Sequence, residues 1–142
     1  CEANPDRKLE RSANGELIVM APTGGETGHR NSELNLDVGL WNRQTKQGIV
    51  CDSSTGFSLP HGGDRSPDVA WIPLEKWEAL TAEQRRGFLP LCPDFVIELL
   101  SPSDSWQLGT AKMEEYQANG CRLGWLLDPQ HKRVGIYRGD RP

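Results

Sequence analysis

No apolar run in this chain approaches the ~20 residues needed to cross a bilayer, and no secretory leader is visible. An excess of positive charge is missing too: 20 acidic against 16 basic residues give a formal charge of −4. No global basic field therefore advertises a nucleic acid or an anionic membrane, and a polyanion would have to be met by a local patch, a metal or a dimer. The four cysteines lack C-x-x-C spacing and mostly sit among apolar residues. That argues against a disulfide framework and a zinc site, and for reduced core thiols in a cytoplasmic protein. Internal repeats and low-complexity tracts are absent, and 142 residues leave no room for a second domain. Residues 1–142 read as a single domain that opens on Cys1 and stops at YRGDRP, so both ends are expected to be trimmed.

What is present has the punctuation of a mixed fold. The Asn14-Gly15 turn signal leads into a strand in GELIVMAP. The spacing of Leu34, Val38 and Trp41 predicts a helix over 26–45, with Thr23 and Glu26 as a capping box and Gly48 as its stop. IVCD, TGFSLP and PDVAWI read as three short strands. PLEKWEALTAEQRRGFLP reads as a helical insert with Pro73 near its start and a capping box at Thr81 and Gln84. A buried strand, a helix over 105–119 with Trp106, Met113 and Tyr116 on one stripe, and a hairpin around Asp128-Pro129 complete the chain. The class is α/β, an α+β mixed sheet with flanking helices.

The stretch CPDFVIELLSPSDS carries the chemistry. Glu98 lies within its apolar strand, where an ionised carboxylate loses several kcal/mol of hydration unless a cation meets it. Asp94 shares its strand face but stands roughly 13 Å away, too far for one ion. Asp68, which follows Pro67 and precedes another apolar strand, is the better companion. Two carboxylates on neighbouring strands suit an oxygen-loving cation such as Mg²⁺. Glu33, on the first long helix, could reach the same cluster, and Lys112, one helical turn before Tyr116, is the expected cation. Such a set would serve metal-assisted phosphoryl chemistry. It would equally serve as a buried structural ion pair between Glu98 and Lys112, with Asp68 capping a turn.

The motifs S-P-D-V at Asp68, P-D-x-V-x-E-x-x-S at Glu98, K-x-x-E-Y at Lys112 and the G-W-L-L-D-P turn resemble the Uma-type family of putative restriction endonucleases, common in cyanobacteria. The resemblance extends over nearly the whole chain, from KLERSANGELIVM to HKRVGIYR. It implies a restriction-endonuclease-like PD-(D/E)XK core, whose order of helix, three strands, helix and strand matches residues 26–100. It implies that Asp68 and Glu98 bind Mg²⁺ or Mn²⁺, and that Glu33 is the helix acid. Where the motif places lysine this chain has Leu100, and the resemblance implies that Lys112, from the following helix, takes its place. The expectation is a metal-dependent endonuclease hydrolysing DNA phosphodiester bonds, with Glu33, Asp68, Glu98 and Lys112 as catalytic residues and a homodimer as the form that cuts both strands. The competing expectation is a non-catalytic nucleic-acid-binding or regulatory module that keeps the nuclease fold.

Other features read more plainly. His29 and Glu33 are four apart but lack a third ligand, PTGGETG lacks the G-K-[ST] ending of a phosphate loop, and the five tryptophans lie in apolar patterns that suit core packing.

Overall fold

The computed structural model describes residues 8–139, and the chain has the expected mixed α+β architecture with flanking helices. Strand β1 (Lys8–Arg11) turns through Asn14-Gly15 into β2 (Leu17–Met20) as an antiparallel hairpin. Gly15 takes φ +85°, a left-handed conformation that glycine adopts without a Cβ penalty. The turn is legible in the sequence. Strand β1 is not, because its four residues, KLER, carry three charges and no periodicity.

Helix α1 (Gly25–Thr45) begins one residue before the predicted start. The Thr23–Glu26 capping box is not formed: Gly24 is the N-cap, without a side-chain hydrogen bond, and Glu26 remains as an acid in the positive first turn. The helix ends at Thr45 as expected, but left-handed Lys46 rather than Gly48 terminates it. Gly48 instead opens β3 (Gly48–Cys51), where a Cβ would collide with the Ile72 carbonyl and the Trp71 ring.

Strands β4 (Phe57–Ser58), β5 (Asp64–Arg65) and β6 (Val69–Pro73) follow. The insert folds as two short helices, α2 (Leu74–Glu78), with Pro73 as N-cap, and α3 (Ala82–Arg86), where the Thr81–Gln84 capping box is closed. Strand β7 (Phe95–Leu99) leads into α4 (Trp106–Ala118), and the chain closes on the hairpin of β8 (Leu123–Asp128) and β9 (Arg133–Arg138).

The strands form two sheets rather than one. The smaller has the order β2-β1-β5-β4 and is antiparallel. The larger has the order β3-β6-β7-β8-β9, and its β7–β8 pair is parallel, joined by α4 as a crossover. Side chains alternate along a strand. Ala70, Ile72 and Val96 meet Leu126, Met113 and Tyr116 in the main core, so α4 covers that face. Trp71 points the other way and donates its ring N–H to Asn42 Oδ1 of α1 at 3.0 Å. The two long helices therefore cover opposite faces, and Glu98, which shares the parity of Val96, faces α4.

The tryptophans are not uniformly core residues. Trp41 and Trp125 are 43% and 37% exposed and line, with Trp71 and Phe95, a groove of about 1040 Å³ on the α1 face. Cys92 and Cys121 are buried and Cys51 half-buried, all three as free thiols, while Cys1 lies outside the described residues. Among the described residues no helix is long and apolar enough to cross a membrane.

Candidate active site

The antiparallel register of β6 and β7 pairs Val69 with Ile97, so one step further along the same register Asp68 stands opposite Glu98. Glu98 faces α4, whereas Asp68, just before the first residue of β6, is met by α1. Asp68 Oδ2 accepts the Leu99 N–H at 2.7 Å, and its Oδ1 lies 3.4 Å from Asn31 Nδ2 of α1. Asn35, one helical turn on, donates to the Asp68 carbonyl at 3.2 Å.

Glu98 is met from α4 by two side chains four residues apart, which share a helix face. Tyr116 donates its hydroxyl to Glu98 Oε1 at 2.8 Å, and Lys112 Nζ lies 3.7 Å from Oε2. Lys112 lies closer still to an acid absent from the sequence expectation: its Nζ is 3.2 Å from Glu10 Oε2 of β1. Glu10 is 1% exposed. It also accepts from Arg65 Nη1 at 3.1 Å and from the Ser66 N–H at 3.0 Å, while Arg65 Nε turns to Glu115 of α4. Glu98, Lys112, Glu10, Arg65 and Glu115 thus form a chain of alternating charge from the large sheet, across α4, to the small sheet.

Glu33 does not join this cluster. The α1 residues that reach Asp68 are Asn31 and Asn35, and two positions from either is about 200° around a helix. Glu33 is exposed and lines a separate shallow groove with Arg30, Leu34 and Asp37. Asp94 also stands apart, in ion pairs with Lys76 and Arg122 at the other end of β7. His29 is exposed on α1. Leu100 packs against the core, and it is Lys112 that brings an ammonium to Glu98.

The electrostatics follow from burial and neighbours. Burial pushes the Glu98 carboxyl up to about 7, with Asp68 and Glu10 adding to the rise and Lys112 and Tyr116 only partly offsetting it. Burial likewise raises Asp68, against the Leu99 N–H, Lys8, Lys112 and Asn31. For Glu10 burial is outweighed by Lys112, the Ser66 N–H and Arg65, so its carboxyl is held below the ordinary value. Burial opposes the Lys112 charge, yet Glu98 and Glu10 more than compensate, and its ammonium is held above the usual range.

Asp68 and Glu98 are therefore the two acids of the array left short of positive charge. Beside them the Asn31 Oδ1 is buried without a hydrogen-bond partner. Adjacent carboxylates and an orphaned amide oxygen are hard donors of the kind Mg²⁺ or Mn²⁺ takes, with water completing the shell. The residues present fit such an ion. Among the described residues no three His, Cys, Asp or Glu side chains converge on one ion position.

The profile of the Uma2 family, described as "Putative restriction endonuclease", matches residues 1–142. The chain belongs to the Uma2 family. A solved structure from Anabaena variabilis ATCC 29413, titled as a putative nuclease belonging to DUF820, superposes on this Uma2 chain with a TM-score of 0.79 at 20% identity, over 94% of this chain and 73% of that one. That likeness shows that the two chains share a fold. No functionally curated protein matches the chain.

In this Uma2 chain the sequence reading misses Glu10, Arg65, Asn31 and the Tyr116 hydroxyl. For Glu10 the sequence gives register but not burial. Counting strand register back from the Asn14-Gly15 turn sets Glu10 opposite Ile18, an acid facing an aliphatic side chain. For Arg65 no local signal exists, since β5 is two residues long.

Proposed function

We propose that the chain hydrolyses DNA phosphodiester bonds with the help of Mg²⁺ or Mn²⁺ held by Asp68 and Glu98. The observation that carries this reading is the juxtaposition of two charge-deficient carboxylates with an ammonium 3.7 Å from one of them. When bound, the cation supplies positive charge that polarises a phosphoryl oxygen and acidifies a water. The protein's own groups do the rest. The Leu99 N–H and Asn31 orient Asp68, and Tyr116 fixes one Glu98 oxygen while the other faces Lys112. Because Lys112 keeps its proton, it acts as a donor and not as a base. Its ammonium donates to a phosphate oxygen, stabilising negative charge as the new P–O bond forms and the bond to the leaving oxygen breaks, while the attacking water gives its proton to bulk solvent and the leaving oxygen takes one from it. Lys112 thereby stands in for the lysine that Leu100 replaces. A duplex presents two strands to such a site, so we infer a homodimer in solution, and sedimentation as a monomer at high concentration would count against it.

A second reading has an observation of its own. The array from Glu98 to Glu115 is internally paired, as a purely structural network would be. The test is cleavage of supercoiled plasmid and single-stranded DNA with Mg²⁺, Mn²⁺ or chelator, alongside Glu98→Gln. Metal-dependent cutting that is lost in the variant supports the nuclease. Equal inertness of both proteins in every condition supports the non-catalytic module.

A further inference from the structure

Lys112 carries its charge on a flexible four-carbon stem, and such a side chain beside two carboxylates tends to collapse onto them. In this chain it pairs with one of them, Glu98, and not with Asp68. Its Nζ sits 3.2 Å from Glu10 and 3.7 Å from Glu98, and it forms no ion pair with Asp68. The closer anchor belongs to the other sheet. Glu10 is itself fixed: its Oε2 takes both Lys112 and Arg65, its Oε1 takes the Ser66 N–H, and Arg65 is tied in turn to Glu115. Glu115 Oε1 also accepts the Ala13 N–H at 3.1 Å, locking the β1–β2 turn to α4. The small sheet therefore contributes one buried, rigidly held carboxylate to the large sheet's site.

We propose that Glu10 is the positioning residue for Lys112, holding its ammonium between Glu10 and Glu98 and clear of Asp68, where it would compete with the cation. With both Oε2 lone pairs engaged and Oε1 turned to a backbone N–H, Glu10 is an anchor rather than a metal ligand. This rests on the reading of Asp68, Glu98 and Lys112 as the reacting set.

Glu10→Gln keeps the shape and the Ser66 bond while removing the charge. Three measurements on it decide the matter: Mn²⁺ affinity by calorimetry, kcat and KM for plasmid cleavage, and the acylation rate of Lys112 by a small active ester, read by mass spectrometry against exposed Lys132. The expected outcome is Mn²⁺ affinity and KM within about threefold of wild type, kcat lower by about 100-fold, and Lys112 acylated about tenfold faster. Mn²⁺ binding weakened by tenfold or more would make Glu10 a ligand and overturn the proposal. So would unchanged kcat and acylation in a folded variant, which leave Glu10 merely structural. If wild type cuts no DNA, the nuclease reading fails, yet the acylation comparison still decides whether Glu10 holds Lys112. Should Glu10→Gln not fold, Glu10→Asp keeps the charge but withdraws it from Lys112. It is expected to retain Mn²⁺ affinity while acylation rises, and unchanged acylation overturns the proposal.

Discussion

The Tyr116 hydroxyl donates a 2.8 Å hydrogen bond to Glu98 Oε1 from a fully buried position in the main core. A residue that packs with Met113 and Leu126 thus also orients the second acid of the site. Tyr116→Phe removes the donor and leaves that oxygen buried without it. A loss of about 1–3 kcal/mol in urea unfolding is expected, together with weaker Mn²⁺ binding. Unchanged stability and affinity would show that the bond has no energetic role.

The pH dependence of stability isolates Glu98. In the folded chain its carboxyl titrates at about 7, against an ordinary value of 4.5, so folding favours the protonated form. Its contribution is fully present below about 4.5 and is lost as pH rises through about 7. Unfolding free energies at pH 5.5 and 8 should therefore fall more steeply for wild type than for Glu98→Gln, by up to about 3 kcal/mol over the whole window. Parallel pH profiles for the two proteins would refute the raised value.

Divalent cations compete with that proton. Mn²⁺ should raise the melting temperature above pH 7 and much less at pH 5.5, because the ion needs both carboxylates ionised. The shift should vanish in Asp68→Asn and in Glu98→Gln. A shift of equal size in these variants would place the ion elsewhere.

Asn31 and Glu33 separate the two possible faces of α1. Asn31→Ala removes the side chain beside Asp68 and is expected to lower metal affinity and cleavage by about tenfold, on the order of 1.4 kcal/mol. Glu33→Gln, on the exposed side of the helix, should leave both within twofold. The reverse pattern would restore Glu33 to the site.

Local periodicity was enough for much of this molecule. Strand β7, helix α4, the Thr81–Gln84 capping box and the β8–β9 hairpin are each specified by residues a few positions apart, and each forms where it is expected. The pairing of Asp68 with Glu98 is nearly as legible, since both flank or interrupt apolar strands that had to become neighbours. Glu10 is different. Nothing within four residues of it marks it as buried, and its burial arises because β1 pairs with β5, whose Arg65 lies 55 positions away. The choice of Asn31 over Glu33 was likewise decided by how α1 is rotated against the sheet, where Asn31 and Asn35 meet Asp68 and Asn42 meets Trp71. The sequence by itself determined most of the secondary elements, though not β1 or β5, and which strand acids could meet. Only the tertiary structure decided which charges surround them, because the energy of a buried charge depends on neighbours that are distant along the chain.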